Sequence, residues 1–413
     1  MTAPTKTWLT SKRIRAHSLI LAVALWSLYL WTIATPGLRD RNGNLKGTDF
    51  LHFYALGIVA AEHRGADLYD MNAQAALAAQ RVPEAAGIRY LPLYPPQVSI
   101  FFMPLSYPSY GWALIAWWVC SGVLYGICCY SVWRICPNLR PYGGTVAIAA
   151  IASPAFFNLI AWGQTSAVAL AWFTLALFCL RQRREFLAGI FLGCLIFKPQ
   201  LGLAAAVVFL ATGAWRVIAG AILSAAAQLG LGILYFGLDS FRNWIQALLK
   251  VRTEMGALEP RLYQTHCLRT FWEMLVPWSG ISTSLYLVSA IVVLGALIAV
   301  WRLGNGISLE LRYSLLLLAT VLVSPHLTVY DLVILAPAIL LLAEWTLAQT
   351  PARQMQLLGT LLYLVYALPL VGFFSRWTHL QLSVVAMAGL FFVVWQLSQK
   401  RPLSDYPATA PSR

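Results

Sequence analysis

The sequence predicts an all-α polytopic membrane protein, on three observations. The chain is 60% hydrophobic and only 11% charged, whereas soluble globular domains run nearer half apolar and a quarter charged. Its apolar residues gather in about twelve stretches divided by short polar connections. Its basic residues sit on alternate connections, the pattern that fixes orientation in a bilayer.

Taken in order, a basic start (Lys6, Lys12, Arg13, Arg15) leads into an apolar run near 17–35. That run suits a hydrocarbon core ~30 Å thick, and no small-residue cleavage site follows it, so it reads as a retained helix. Further spans are predicted near 108–134, 144–161, 164–180, 185–198, 200–214, 216–237, 281–301, 312–324, 327–346, 355–373 and 380–398. Ten to twelve of these stretches are expected to cross the membrane within one domain over 1–402, leaving 403–413 as a disordered tail. Alternate connections carry Arg134 and Arg140; Arg181, Arg183 and Arg184; Arg216; Arg302 and Arg312; and Arg353. With Lys400 and Arg401 they fall on one side if both termini are cytoplasmic. The chain is then a multi-pass protein of the inner (plasma) membrane.

The opposite, periplasmic or exterior side receives a long loop at 36–94 and a second at 238–280. It also receives three tight turns, Trp162-Gly163-Gln164, Lys198-Pro199-Gln200 and Ser324-Pro325-His326, and a short loop with Arg376, Trp377 and His379. Several spans beside these turns are short. A helix of about 14 residues reaches only ~21 Å at ~1.5 Å per residue, and polar backbone at that depth is tolerated where it lines a cavity. An outward cavity rimmed by Gln164, Lys198, Gln200 and His326 follows. Within the first loop, 49–61 and 71–80 read as short amphipathic helices lying along the membrane face. Tyr94-Pro95-Pro96 opens a third segment, kinked by Pro104 and Pro108.

The net charge of +14 is dispersed between apolar spans, which fits membrane topology and not nucleic acid. The seven cysteines show no zinc-ligand spacing with histidine. Most lie in or beside apolar spans as small hydrophobes, so no metal, cofactor or disulfide is expected.

Few residues remain that can do chemistry. Asp49 reads either as a general base, improved by burial, or as an N-cap for the helix opening at Phe50, a task Thr48 can share. Lys198 is costly inside a membrane and reads as an anion-binding group or a snorkelling anchor; Pro199 favours the former by fixing a tight turn. His326, with Tyr330 one turn on and Asp331 beside it, reads as a phosphate or sugar ligand or as a satisfied histidine. Gln164 is a weaker candidate of the same kind. Arg242, Lys250 and Arg252, then Arg261, Tyr263, His266 and Arg269, form either a cationic mouth for lipid phosphates or a solvated helix face. His52 and His63 look like helix-surface residues.

These residues resemble glycosyltransferase family 87, over about 45–350. The resemblance rests on Thr48-Asp49-Phe50 with Tyr54, Gly65-Ala66-Asp67-Leu68-Tyr69-Asp70, Tyr94-Pro95-Pro96 with Pro104-Leu105, Gly163-Gln164, Lys198-Pro199-Gln200, and Ser324-Pro325-His326 with Tyr330-Asp331. It implies a GT-C-type fold and an inverting, metal-independent transfer of a sugar, expected to be mannose, from a polyprenyl monophosphate to a lipid, glycan or protein acceptor. It implies Asp49 as base on the acceptor hydroxyl, and Lys198 and His326 as ligands of the donor phosphate. Gln164, Gln200, Tyr330, Asp331, Arg261 and His266 are expected on the donor side, and Thr48, Tyr54 and Tyr94 on the acceptor side. From about 351 onward the chain matches only as generic apolar helix. A lipid or glycolipid transporter is the rival reading, since it shares spans, cavity and intramembrane polar groups. The polar motifs cluster on one face, however, and no repeat is evident.

Overall fold

The computed structural model describes residues 9–251, 259, 261–349 and 353–399; the expected tail at 403–413 and Arg252 lie outside these. Nineteen α-helices are described: α1 (Ser11–Ile33), α2 (Phe50–Ala61), α3 (Met71–Arg81), α4 (Gln97–Phe102), α5 (Tyr110–Arg134), α6 (Gly143–Ile151), α7 (Pro154–Trp162), α8 (Ser166–Arg181), α9 (Glu185–Gly193), α10 (Pro199–Ala211), α11 (Trp215–Phe236), α12 (Leu238–Lys250), α13 (Leu268–Leu275), α14 (Ser279–Arg302), α15 (Leu309–Val323), α16 (Ala336–Leu347), α17 (Arg353–Ala367), α18 (Ser375–Thr378) and α19 (Leu382–Gln399). Tighter 3₁₀ turns join several of them, including Cys194–Phe197 before α10 and Val329–Leu335 before α16. The protein is an all-α polytopic membrane protein.

Every predicted apolar stretch is helical, but they divide into two kinds. Among the described residues, seven helical segments are long and apolar enough to cross a membrane: Ser11–Ile33, Tyr110–Arg134, Trp215–Phe236, Ser279–Arg302, Val329–Leu347, Arg353–Thr378 and Leu382–Gln399. Pro137–Ile151 and Pro154–Trp162 make an eighth if counted as one span bent by 44°. The bend falls at Ser153, whose extended backbone (φ −58°, ψ 123°) is what a following proline imposes. The long helices carry exposed apolar residues such as Val119, Ile222, Leu234 and Ile291, as a lipid-facing surface requires.

The shorter helices α8, α9, α10 and α15 pack inside this shell. α15 is buried along nearly its whole length and touches α10, α14, α16 and α19. The most extensive helix pair is α9 with α11, and small residues make it possible. A Cβ on Gly189 would run into the Val217 carbonyl oxygen, one on Gly193 into that of Ala221, and one on Gly220 into that of Phe186.

The first loop departs from expectation in one respect. α3 is amphipathic in the expected sense, burying Gln74, Leu77 and Ala78. α2 does not lie along the membrane face: every residue from Phe50 to Ala60 is buried, against α3, α4, Met103–Ser106 and α5. In a chain this apolar, the hydrophobicity of a helix does not separate lipid-facing from protein-facing sides.

Opposite the tight turns, the arginine-bearing connections meet one another. Arg181 pairs with Glu310 at 2.6 Å, Arg302 donates to the Ala211 carbonyl at 3.3 Å, and Glu344 accepts from Asn138 and Leu139.

The glycine contacts generate a stability prediction. Gly189→Ala is expected to cost about 1–3 kcal/mol through overpacking, read as a lower melting temperature of detergent-purified protein. Gly295→Ala, where a Cβ meets nothing within 4 Å, is expected to leave it unchanged or slightly raised.

Candidate active site

The tight turns converge on one cavity of about 1080 Å³. Its walls come from the end of α1, the start of α2, the 88–94 segment, the α7–α8 turn, the start of α10, and the segments around Glu259, Arg261 and His326. Thr48, Asp49, Tyr94, Gln164, Lys198, Gln200, Arg261, His326, Tyr330 and Asp331 all line it. Residues far apart in sequence thus share a single chamber.

Asp49 occupies the N-cap position of α2 but makes no side-chain cap. The capping reading is therefore overturned: the carboxylate turns away from its own helix and accepts from Gln164 Nε2 at 2.6 Å. Its backbone N–H donates to the Trp162 carbonyl at 3.0 Å. Gly163 makes this approach possible. It adopts a left-handed backbone (φ +69°), and a Cβ there would sit 2.6 Å from Phe50 Cβ. Trp117 Nε1 clamps the Gly163 carbonyl from behind at 3.0 Å. Burial raises the Asp49 carboxyl to about 6, with the Gln164 hydrogen bond and the Lys198 charge pulling the other way and Asp331 adding to the rise.

Lys198 ends the 3₁₀ turn before α10, and Pro199 occupies the first position of that helix. The ammonium is buried and donates to Asp331 Oδ1 at 2.8 Å and to Ser166 Oγ at 3.2 Å. It also lies 5.2 Å from the Tyr330 ring centroid. The anion that the sequence required is thus supplied internally by Asp331. That carboxylate also accepts from Ser166 Oγ and, through Oδ2, from the Thr328 hydroxyl and N–H. The last two contacts make the capping box of the Val329–Leu335 turn.

His326 is half-buried, and its Nδ1 stands 2.5 Å from Glu259 Oε1. Glu259 is gripped from its other oxygen by Arg269, which also holds Glu273 and the Pro325 carbonyl. Burial alone would raise the Glu259 carboxyl, but His326 and Arg269 outweigh it and hold it below the usual carboxylate range. Arg261 is exposed at the cavity wall, as is Arg89.

Two expected site residues are elsewhere. His266 does not line the cavity. It is buried with Nδ1 at 2.7 Å from Ser383 Oγ, and burial pushes its imidazole down to about 3, so it carries no charge for a phosphate. Tyr54 points away from the cavity and donates to the Pro108 carbonyl at 3.0 Å, packed on Phe50 and Tyr110. Of the remaining loop cations, Arg242 pairs with Asp239 at 2.9 Å on the exposed face of α12.

Four cavity residues escaped the sequence reading or were misjudged by it. Glu259, Ser166 and Arg89 carry no local signal, since their contacts are made with distant segments. His52 looked like a surface residue and is buried in the cavity wall. Among the described residues, no three of His, Cys, Asp and Glu gather as a metal-binding set.

The Lys198–Asp331 pair generates a prediction. Removing one partner strands a buried charge, at a cost of about 3–5 kcal/mol. Lys198→Met alone is expected to melt well below wild type, and Lys198→Met with Asp331→Leu to recover much of that loss, by thermal unfolding in detergent.

Residues 93–325 match the family model described as glycosyltransferase family 87. No curated protein and no solved structure matches the chain. The matched segment holds Tyr94, Gln164, Lys198, Gln200 and Arg261; Asp49 lies before it, and His326, Tyr330 and Asp331 after it. More than half of the chain is covered by that match, its helices are those of a membrane protein, and its polar residues meet in one chamber: the chain belongs to glycosyltransferase family 87 and is a membrane glycosyltransferase.

Proposed function

We propose that the protein transfers a sugar, mannose by the family resemblance, from a polyprenyl monophosphate to a hydroxyl of a lipid, glycan or protein acceptor. The transfer is inverting and metal-independent in this reading, on a GT-C-type fold, with the cavity on the periplasmic or exterior face. The observation that carries it is the placing of a carboxylate with a raised pKa, Asp49, in one cavity with Lys198 and His326.

In the proposed mechanism the polyprenyl tail stays in the bilayer and the phosphosugar enters the cavity. Asp49 takes the proton of the acceptor hydroxyl, whose oxygen attacks the anomeric carbon from the face opposite the phosphate. The bond from that carbon to the phosphate oxygen breaks, and its electron pair leaves with the polyprenyl phosphate. Lys198 and His326 stabilise the growing charge, with Arg261 as a further cation at the wall. Asp331 and Glu259 set the position of these two ligands, and Gln164 sets that of the base. Gln200 and Tyr330 complete the donor side, while Thr48 and Tyr94 face the acceptor.

A carboxyl at about 6 must lose its proton before it acts as base. Activity is therefore expected to rise with pH through an apparent pKa near 6. Gln164 donates to the charged form and lowers that pKa. Gln164→Leu is expected to move the acidic limb of the kcat/KM profile upward. An unmoved limb assigns the titration to another group.

Asp49→Asn is expected to lower kcat by about 10²–10⁴-fold while donor binding persists; full activity removes Asp49 from the base role. Lys198→Ala is expected to weaken donor binding, and unchanged affinity makes Lys198 a structural anchor. The donor class itself is tested by incubating purified protein with labelled polyprenyl-phosphate sugars and a membrane-lipid extract. Transfer from nucleotide sugars alone overturns it.

A further inference from the structure

One polar group in the cavity wall has no partner. His52 is 5% exposed and lies one turn beyond Asp49, its backbone N–H donating to the Asp49 carbonyl at 3.2 Å. Its Nε2 is fully buried and has no hydrogen-bond partner among the described residues. Leaving a buried imidazole nitrogen unpaired is costly, and native structures contain few such groups. A position that needed only a packing group would be filled more stably by Phe or Leu. The ring is held by aromatic contacts on several sides: Tyr90 at 5.2 Å, Tyr94 at 5.5 Å and Phe53 at 5.8 Å between centroids. The side chain is thus oriented without being satisfied.

The location says which substrate it faces. Lys198 and His326 occupy the cationic part of the chamber. His52 shares its helix with Asp49 and its immediate wall with Tyr90 and Tyr94, where aromatic faces and scattered polar groups replace charge. Such a lining suits a ligand with hydroxyls on an otherwise apolar ring or chain. Burial pushes the imidazole down to about 4, so it is neutral near pH 7. A neutral imidazole carries one N–H donor and one lone-pair acceptor, matched to a hydroxyl rather than to a phosphate.

We infer that His52 is an acceptor-contacting residue, hydrogen-bonding a hydroxyl of the substrate that Asp49 activates. The inference rests on reading the cavity as the site of glycosyl transfer, and it adds to that reading a group fixing which hydroxyl reaches the base. Because His52 and Asp49 are separated by one rigid helical turn, an acceptor bonded to both is held in a fixed register. The competing explanation is a water. A crevice of about 10 Å³ behind the ring, lined by Leu51, Ala55, Gln74 and Ala78, has room for about one.

The test compares His52→Phe, which keeps the ring and its aromatic neighbours, with His52→Gln, whose amide stands near the Nε2 position. With labelled polyprenyl-phosphate sugar fixed and the acceptor fraction of a membrane-lipid extract varied, His52→Phe is expected to raise the acceptor KM about tenfold, the worth of one hydrogen bond. Donor KM stays within twofold of wild type, and His52→Gln recovers most of the loss. Native mass spectrometry of extract-treated protein reads the same contact without turnover: wild type retains a hydroxyl-bearing lipid that His52→Phe loses. An unchanged acceptor KM, equal rises in donor and acceptor KM, or equal lipid retention by both proteins overturns the inference and leaves His52 with a buried water only. A wild type that transfers no sugar from any lipid donor overturns the proposed function instead, and lipid retention still decides on His52.

Discussion

The ion pair between Lys198 and Asp331 is the contact on which the chamber depends. Neither charge is tolerable alone at that depth, because a lone ammonium or carboxylate in a low-dielectric interior loses its hydration and gains nothing in return. Together they tie the start of α10 to the Val329–Leu335 turn, and Ser166 brings in the start of α8. Three short helices therefore begin at one point. The pair also sets the field in which Asp49 sits, with a positive and a negative group acting on it in opposite senses. Burial then dominates, and the result is a base poised near neutrality without a neighbouring free cation to suppress it.

The same arrangement solves a problem of backbone. Helices shorter than the bilayer leave unpaired N–H groups below the surface. Here those ends are gathered around a cavity, where side chains and substrate take the place of lipid. The long helices form the outer shell, and the short ones carry the chemistry.

Much of this was legible in the sequence, because apolar length and proline position are local properties. The helical stretches, the tight turns at Gln164, Lys198 and His326, and a shared cavity among them all follow from such signals. What was not legible depends on contacts between distant segments. Nothing near Glu259 marks it as the partner of His326, and nothing near Asp331 marks it as the anion that Lys198 requires. The N-cap expectation for Asp49 failed because Gln164, more than a hundred residues away, offers its carboxylate a better-placed donor. His266 and Tyr54 share the composition of site residues but point into the packed interior. His52 and the rest of α2 were misjudged because burial by protein and burial by lipid leave the same apolar signature.

The complete enclosure of α2 bears on biosynthesis. A helix of this length cannot rest across a bilayer by itself, and its neighbours α3, α4 and α5 are all made after it. Asp49 finds Gln164 only when α7 and α8 have emerged, and the charge pair beside it closes only once the ribosome has passed Asp331. A nascent chain halted anywhere before that point holds a reactive carboxylate but no chamber around it. The order of translation thus withholds a working centre from incomplete copies, which would otherwise meet lipid-linked sugars in the membrane they are entering.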